Sequence, residues 1–194
     1  MITNLARSWG VHITEPIARF LARLGLSPNQ VTLLGFLLTV AVAVILATGR
    51  LQLAGVLLIF ALGADGIDGT LARLTGTSSR FGAFFDSTLD RWAEIALYFA
   101  LTWHYTHIGQ DSAALVATAA MATSLMVSYT RARAEGIGIP LKEGLLTRLE
   151  RMVILIVALI IPGLLYWALW LIAILAGVTA VQRILATWRL TQGS

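Results

Sequence analysis

The sequence has no cysteine among its 194 residues, and only 12% of the residues are charged. The absence of cysteine excludes a disulfide framework, a thiolate zinc site and a cysteine nucleophile. Soluble proteins carry about 25% charged residues. With so little charge and 58% hydrophobic residues, the composition excludes an ordinary soluble domain and a disordered chain. It is typical of a polytopic membrane protein.

Long uncharged runs indicate an all-α integral membrane protein with six transmembrane helices, preceded by an N-terminal amphipathic surface helix. Residues 1–26 place apolar residues at helical spacing with arginines between them, which favours a helix on the membrane surface. Packing of that helix on the protein itself is an equal alternative. The whole chain, 1–194, is expected to form one membrane domain, with the six-helix core over 27–189. The expected spans are 31–48, 51–64 with the polar stretch after it, 82–103, 112–130, and two helices within 152–182 separated by Pro162-Gly163.

The basic residues are distributed very unevenly over the two sides of the predicted helices. Thirteen of the fourteen fall at one set of helix ends, and only Arg50 falls at the other. Because lysine and arginine favour cytoplasmic loops, we expect a multi-pass protein of the cytoplasmic membrane with both termini and the charged segments on the cytoplasmic side. We therefore attribute the basic residues behind the net charge of +4 to membrane topology and to contact with lipid headgroups, and we expect no nucleic-acid partner.

Two short patterns predict local packing. Ser27-Pro28-Asn29-Gln30 predicts a helix start, with Ser27 and Gln30 forming a capping box. The fourth predicted span is rich in alanine, which permits close helix packing and makes a homodimer contact there plausible. The alanines concerned are Ala113, Ala114, Ala117, Ala119, Ala120 and Ala122.

Half of the ten acidic residues lie in one short part of the chain. They are Asp65, Asp68, Asp86, Asp90 and Glu94. Asp65 and Asp68 are three positions apart and are expected to share one helix face. Asp86 and Asp90 are four apart and are expected to share a face of the next helix. The short polar turn over 75–80 predicts a helical hairpin in which the two acidic faces meet.

Clustered carboxylates at a membrane boundary repel one another and are costly to desolvate, so a divalent cation would stabilise them. Oxygen ligands without histidine or cysteine suit Mg²⁺, Mn²⁺ or Ca²⁺, and Mg²⁺ commonly shares its shell with phosphates, which favours phosphoryl chemistry. Two other interpretations stay open. One is a proton or divalent-cation transporter, and the other is a structural membrane protein with buried ion pairs such as Asp90 with Arg91. Glu94 is expected to be a partner of Arg91.

The acidic hairpin carries the pattern Asp65-x2-Asp68-Gly69-x2-Ala72-Arg73-x8-Gly82-x3-Asp86-x3-Asp90. This pattern resembles the signature of the CDP-alcohol phosphotransferase family at every defined position. The resemblance implies a six-helix membrane enzyme in which an acceptor alcohol attacks the β-phosphorus of a CDP-linked lipid and CMP leaves. It also implies two metal ions, Mg²⁺ or Mn²⁺, and a general base, Asp90, that deprotonates the acceptor hydroxyl. The metal ligands that it implies are Asp65, Asp68, Asp86 and Asp90.

Segments throughout the chain, among them Leu26-Ser27-Pro28 and Arg80-Phe81-Gly82, resemble the phosphatidylinositol-phosphate synthase branch of that family. The branch resemblance implies CDP-diacylglycerol as donor, inositol phosphate as acceptor, phosphatidylinositol phosphate as product, and a homodimer. The residues implied in CDP-lipid binding are Asn29, Gln30, Val31, Thr32, Gly69, Arg73 and Ser79. The residues implied in binding the acceptor phosphate are Ser128, Arg131, Arg133, Arg151 and Arg183.

The arginines of the implied acceptor site admit two interpretations. A phosphorylated acceptor needs positive charge, which arginines supply, and glycerol 3-phosphate is the alternative acceptor on the same ground. Alternatively, the arginines only enforce topology and contact lipid headgroups. Arg131 stands where the branch is expected to have lysine, which keeps the charge and changes the donor geometry. Arg131 and Arg133 are two apart on one helix and are expected to point to nearly opposite sides.

Overall fold

The computed structural model describes residues 14–141 and 144–192, and within these ranges every regular element is an α-helix. The helices of the described chain are α1 (14–23), α2 (Pro28–Ala47), α3 (Leu51–Ala64), α4 (Ile67–Thr75), α5 (Arg80–His107), α6 (Asp111–Gly136), α7 (Arg148–Ile160) and α8 (Leu165–Gln192). The expectation of an all-α protein is confirmed for the residues described.

Helix starts follow the local capping chemistry of the sequence. Before α2, the Ser27 amide donates to Gln30 Oε1 at 2.8 Å and the Gln30 amide donates to Ser27 Oγ at 3.4 Å, so the predicted capping box is confirmed. Before α7, Thr147 and Glu150 form the same reciprocal pair. These bonds satisfy amide groups that the first helical turn leaves without partners.

The helix α4 is a separate short segment between two glycines in the left-handed region. Gly66 has φ 84° and Gly76 has φ 65°, and the Thr77 amide closes the C-terminal turn by donating to the Ala72 carbonyl at 3.0 Å. The expectation that Asp65 and Asp68 share a face of one helix is therefore wrong. Gly66 ends the right-handed helix, and Asp65 lies in the turn before α4.

Four stretches of the described chain are long and apolar enough to cross a membrane. They are Pro28–Ala47, Leu51–Thr75, Asp111–Gly136 and Leu165–Gln192. The other two predicted spans fall on α5, which carries several charged residues in its first half, and on α7, which has 13 residues. A multi-pass membrane protein is thus supported, while the count of six spans stays a prediction.

Contacts divide the chain into two compact units. The first takes in the chain up to Ala41 together with Ile59–Ala93. Its core is a cluster in which Ala18 of α1 packs on Ile67 and Leu71 of α4. Of the predicted surface helix over 1–26, residues 1–13 lie outside the described part, and its placement on a membrane stays a prediction.

The second unit takes in Val42–Leu58 and the chain from Glu94 onward. Within it, α6 packs along α8 through small residues. Of the six alanines predicted to allow close packing, Ala119 and Ala122 stay exposed, and the other four are buried within the single chain. That tight face therefore serves the fold of the chain itself.

Candidate active site

Three aspartates meet at the hairpin of α4 and α5. One carboxylate oxygen from each of Asp65, Asp86 and Asp90 lies within 4.8 Å of the other two. Asp65 is exposed in the turn before α4, whereas Asp86 and Asp90 are half-buried, one turn apart on α5. Anionic oxygens this close repel one another, and a hard divalent cation would remove that repulsion, so the donor set fits such an ion. The predicted meeting of acidic residues is confirmed for these three.

Asp68, the fourth motif aspartate, is not part of this group of three. The Thr32 hydroxyl on α2 donates to Asp68 Oδ2 at 2.5 Å, and the Gly69 amide donates to Oδ1 at 2.6 Å. Both carboxylate oxygens thus have a protein partner that fixes their orientation. The sequence offered no signal for the Thr32 contact, because the two residues are 36 positions apart. Metal binding by Asp68 stays a prediction.

A cavity of about 410 Å³ lies beside Asp68 and Asp86, a volume typical of small-molecule sites. Five of the seven residues predicted to bind CDP-lipid line it: Asn29, Thr32, Gly69, Arg73 and Ser79. The other two do not, because the Gln30 side chain caps Ser27 and Val31 packs in the core of the first unit. Unpredicted lining residues are Ser27, Pro28, Ala72, Thr77, Ser78, Gly82 and Ala83. The run of hydroxyl residues before α5 could have indicated two of these.

Glycines let polar side chains come close to this cavity. A Cβ atom at Gly82 would lie 3.1 Å from Ser79 Oγ and 3.3 Å from Asn29 Oδ1, so a larger residue would push these two groups apart. The Gly82 amide itself donates to Ser79 Oγ at 2.9 Å. At Gly69, a Cβ atom would lie 3.6 Å from Arg73 Nη1, so the guanidinium passes directly over the glycine. Polar groups therefore converge on one end of the cavity.

One motif aspartate, Asp90, forms the ion pair with Arg91 that the sequence allows. Arg91 Nη2 lies 3.4 Å from Asp90 Oδ2, and both side chains are partly exposed. A long ion pair in contact with solvent contributes little to stability. It does not account for the convergence of three carboxylates.

Arg151, predicted to bind the acceptor phosphate, is fully buried in the second unit. Its Nε and Nη2 atoms donate to the two carboxylate oxygens of Glu94 at 2.8 and 2.9 Å, and Nη1 donates to the Leu146 carbonyl at 3.3 Å. The expected partner of Glu94 was Arg91, so that expectation is corrected. The bidentate partner comes from α7, 57 positions away, and buried charges of this kind require such a partner.

The other predicted acceptor residues are divided between buried and exposed positions. Arg183 on α8 is 5% exposed and donates from Nη1 to the Val127 carbonyl. Arg131 is exposed and pairs with Glu135 at 2.8 Å, while Arg133 is exposed on the same helix. Ser128 is half-buried, within 3.5 Å of the Ser124 carbonyl. All four belong to the second unit, and their common role in phosphate binding stays a prediction.

Comparison with known proteins identifies the family. A protein-family model described as CDP-alcohol phosphatidyltransferase matches residues 25–182. The chain belongs to the CDP-alcohol phosphatidyltransferase family and is an enzyme of that class, which confirms the resemblance seen in the motif. Membership in an enzyme family removes the grounds for the transporter and structural-protein alternatives.

Individual relatives are similar over most of the chain. The phosphatidylinositol phosphate synthase of Streptomyces avermitilis is 36% identical over 203 residues, covering 97% of this chain and 83% of that protein. The crystal structure of the Mycobacterium tuberculosis phosphatidylinositol phosphate synthase with CDP-DAG bound matches with a TM-score of 0.87 and 34% identity, covering 91% and 94% of the two chains. A structure of that enzyme in complex with manganese and citrate matches with a TM-score of 0.84 at 34% identity, covering 90% and 88%.

Proposed function

We propose that this enzyme transfers the phosphatidyl group of CDP-diacylglycerol to a hydroxyl of inositol phosphate, forming phosphatidylinositol phosphate and CMP. The observation that carries the proposal is the position of Asp86, which belongs to the three-aspartate group and also lines the cavity. A divalent-cation site and a nucleotide-sized cavity thus share a side chain, as phosphoryl transfer requires. The relatives named as phosphatidylinositol phosphate synthases support the choice of reaction.

The cavity suits the CDP part of the donor. The Arg73 guanidinium offers planar donors to the diphosphate, and Gly69 allows phosphate oxygens to approach the backbone. Asn29 and Ser79, which converge beside Gly82, offer hydrogen bonds to the sugar or base. Gln30 and Val31 do not line the cavity; Gln30 caps the helix that carries Asn29, and Val31 packs that helix against the core.

The chemical step needs one proton acceptor in the protein. Asp90 takes the proton of the acceptor hydroxyl while the oxygen of that hydroxyl attacks the phosphorus that bears diacylglycerol. The bond from that phosphorus to the oxygen of CMP breaks, and CMP leaves. Asp65, Asp68, Asp86 and Asp90 would hold Mg²⁺ or Mn²⁺, with two ions expected, and the Thr32 hydroxyl would orient Asp68 for this role. The ions would neutralise charge on the diphosphate and the departing CMP.

The acceptor phosphate is assigned to the arginines of the second unit. Arg151 keeps two of its five N–H groups after bonding Glu94 and Leu146, and Arg183 lies close to the same loop, near Gly144. Ser128, Arg131 and Arg133 complete the proposed set. A phosphorylated acceptor is favoured because neutral inositol, glycerol or serine would not need this much positive charge.

The topology proposed for this function has six spans, both termini and the active site on the cytoplasmic side, a surface helix at the N-terminus, one domain and a homodimer. The absence of cysteine makes sidedness measurable with single introduced cysteines. Gln110→Cys should react with a membrane-impermeant maleimide outside intact cells, and Thr191→Cys only after permeabilisation. The opposite pattern would invert the orientation. Light scattering of the detergent-solubilised protein would test the dimer.

The test of function is CMP release from CDP-diacylglycerol in detergent micelles with Mg²⁺. Inositol phosphate, inositol, glycerol 3-phosphate and serine are compared as acceptors. We expect release with inositol phosphate, abolished in Asp90→Asn and unchanged in Asp111→Asn, a matched control at an exposed acid of α6. Release with glycerol 3-phosphate instead would retain the donor site and refute the acceptor assignment. No release with any acceptor would refute the proposed reaction.

A further inference from the structure

Thr70 is a buried polar residue between the cavity and α1. It lies on α4, one residue after Gly69, and is 6% exposed. Its hydroxyl donates to the Gly66 carbonyl at 3.0 Å, as threonines in helices commonly do. Two further groups approach the same oxygen: Arg73 Nη2 donates to it at 3.1 Å, and Thr14 Oγ1 of α1 lies 3.3 Å away.

The Thr70 hydroxyl oxygen has three hydrogen-bond partners. A threonine hydroxyl has one proton and two lone pairs. Its proton goes to the Gly66 carbonyl and a lone pair accepts from Arg73, while Thr14 Oγ1 is a third partner in a bond that either hydroxyl could donate. The Thr70 hydroxyl therefore joins α1 to the arginine that lines the cavity.

Arg73 needs such support because its side chain is exposed and long. An arginine free to rotate loses much conformational entropy when it is fixed on a ligand. With Nη2 held by Thr70, the Nη1 end lies across Gly69 at the cavity. One N–H of five is spent on Thr70, and the remaining donors include a planar pair for a phosphate.

The helix α1 is itself held in place at this point. Ala18, one turn after Thr14, packs fully buried on Ile67 and Leu71 of α4. The Thr14 hydroxyl therefore reaches Thr70 from a surface that apolar packing already fixes. The contact between Thr14 and Thr70 joins α1 to α4. The usual bond of a helical threonine to the carbonyl four residues earlier stays within one helix and does not make such a link.

We propose that Thr70 is a positioning residue that holds the Arg73 guanidinium ready for the diphosphate of the donor, and that α1 supports it through Thr14. This inference rests on the proposed function, in which Arg73 binds the CDP moiety. It predicts an effect confined to the donor, because Thr70 contacts no other cavity residue through its hydroxyl in the bonds described.

The test uses Thr70→Val, which keeps the shape and removes the hydroxyl, and Thr70→Ser, which keeps the hydroxyl. Thr39→Val is the matched control, since Thr39 makes the same bond to the carbonyl four residues earlier. We expect Thr70→Val to raise the KM for CDP-diacylglycerol and the Kd for CDP, measured by calorimetry on the micellar enzyme, by about fivefold. The KM for inositol phosphate should stay within about twofold, and Thr70→Ser and Thr39→Val should resemble the wild type.

Thr14→Val should shift donor affinity in the same direction by about twofold, since its bond acts through Thr70. Unchanged CDP affinity in Thr70→Val would overturn the proposal, as would an equal loss in Thr70→Ser or an equal rise in the acceptor KM. The CDP binding measurement does not depend on turnover. A wild-type enzyme that releases no CMP would refute the proposed function and still leave the role of Thr70 decided by binding.

Discussion

The buried pair of Glu94 and Arg151 makes a quantitative prediction about stability. Glu94 is 4% exposed and Arg151 is not exposed at all, and two hydrogen bonds of 2.8 and 2.9 Å join them. Each charge-assisted bond contributes about 1.5–3 kcal/mol. Removing one partner of a buried pair costs about 3–5 kcal/mol, because the remaining charge stays buried. Glu94→Ala would leave the Arg151 guanidinium with the Leu146 carbonyl at 3.3 Å. We therefore expect a loss of about 4 kcal/mol.

The assay is equilibrium unfolding in mixed micelles, followed by circular dichroism. Glu135→Ala is the control, since Glu135 pairs with Arg131 at the surface and its loss should cost less than about 1 kcal/mol. The double replacement Glu94→Leu with Arg151→Met should recover stability to within about 1 kcal/mol of the wild type. Equal costs for Glu94→Ala and Glu135→Ala would refute the reasoning.

The same double variant separates the two roles of Arg151. If Arg151 binds the acceptor phosphate, the recovered protein should still have lost most CMP release with inositol phosphate. Full activity in the stable double variant would mean that Arg151 only stabilises the fold and that the other arginines bind the acceptor.

Three further outcomes are expected. Thr32→Val removes the hydrogen bond from the Thr32 hydroxyl to Asp68 and should raise the Mg²⁺ concentration for half-maximal activity by about threefold to tenfold. Thr32→Ser keeps the hydroxyl and should leave that concentration unchanged. Equal effects of the two variants would contradict the role of Thr32 in orienting Asp68. Gly66→Ala places a side chain at φ 84° and should cost about 1–2 kcal/mol in the unfolding assay, against almost no loss for Gly63→Ala, which meets open space at an ordinary φ. Removal of divalent ions with EDTA should abolish CMP release, and Mg²⁺ or Mn²⁺ should restore it; activity that survives chelation would contradict the metal site.

Features determined by neighbouring residues could be predicted from the sequence. The Ser27 capping box, the turn over 75–80 and the separation of α7 from α8 at Pro162-Gly163 all depend on chemistry within a few positions. The meeting of Asp86 with Asp65 followed from the short hairpin. The family motif indicated the cavity, because its glycines and charged residues lie at fixed spacing.

Features that depend on distant contacts could not be predicted. The partner of Glu94 is 57 positions away, whereas the sequence pattern points to the nearby Arg91. Thr70 occupies an undefined position of the motif, and its partner in α1 is 56 positions earlier. The break at Gly66 was missed for a different reason. A glycine beside an acid equally indicates space for a ligand or a left-handed turn, and backbone geometry decides between them.

The break at Gly66 has a mechanical consequence. The helix α3 is apolar and belongs to a stretch long enough to cross a membrane, where the bilayer thickness affects how far a helix tilts. If the helix were continuous through Gly66, Asp68 and Arg73 would move with every change in that tilt. Because Gly66 ends α3, Asp68 and Arg73 lie together on a separate helix of nine residues. The spacing between Asp68 and Arg73 therefore depends on α4 alone and does not depend on the tilt of α3.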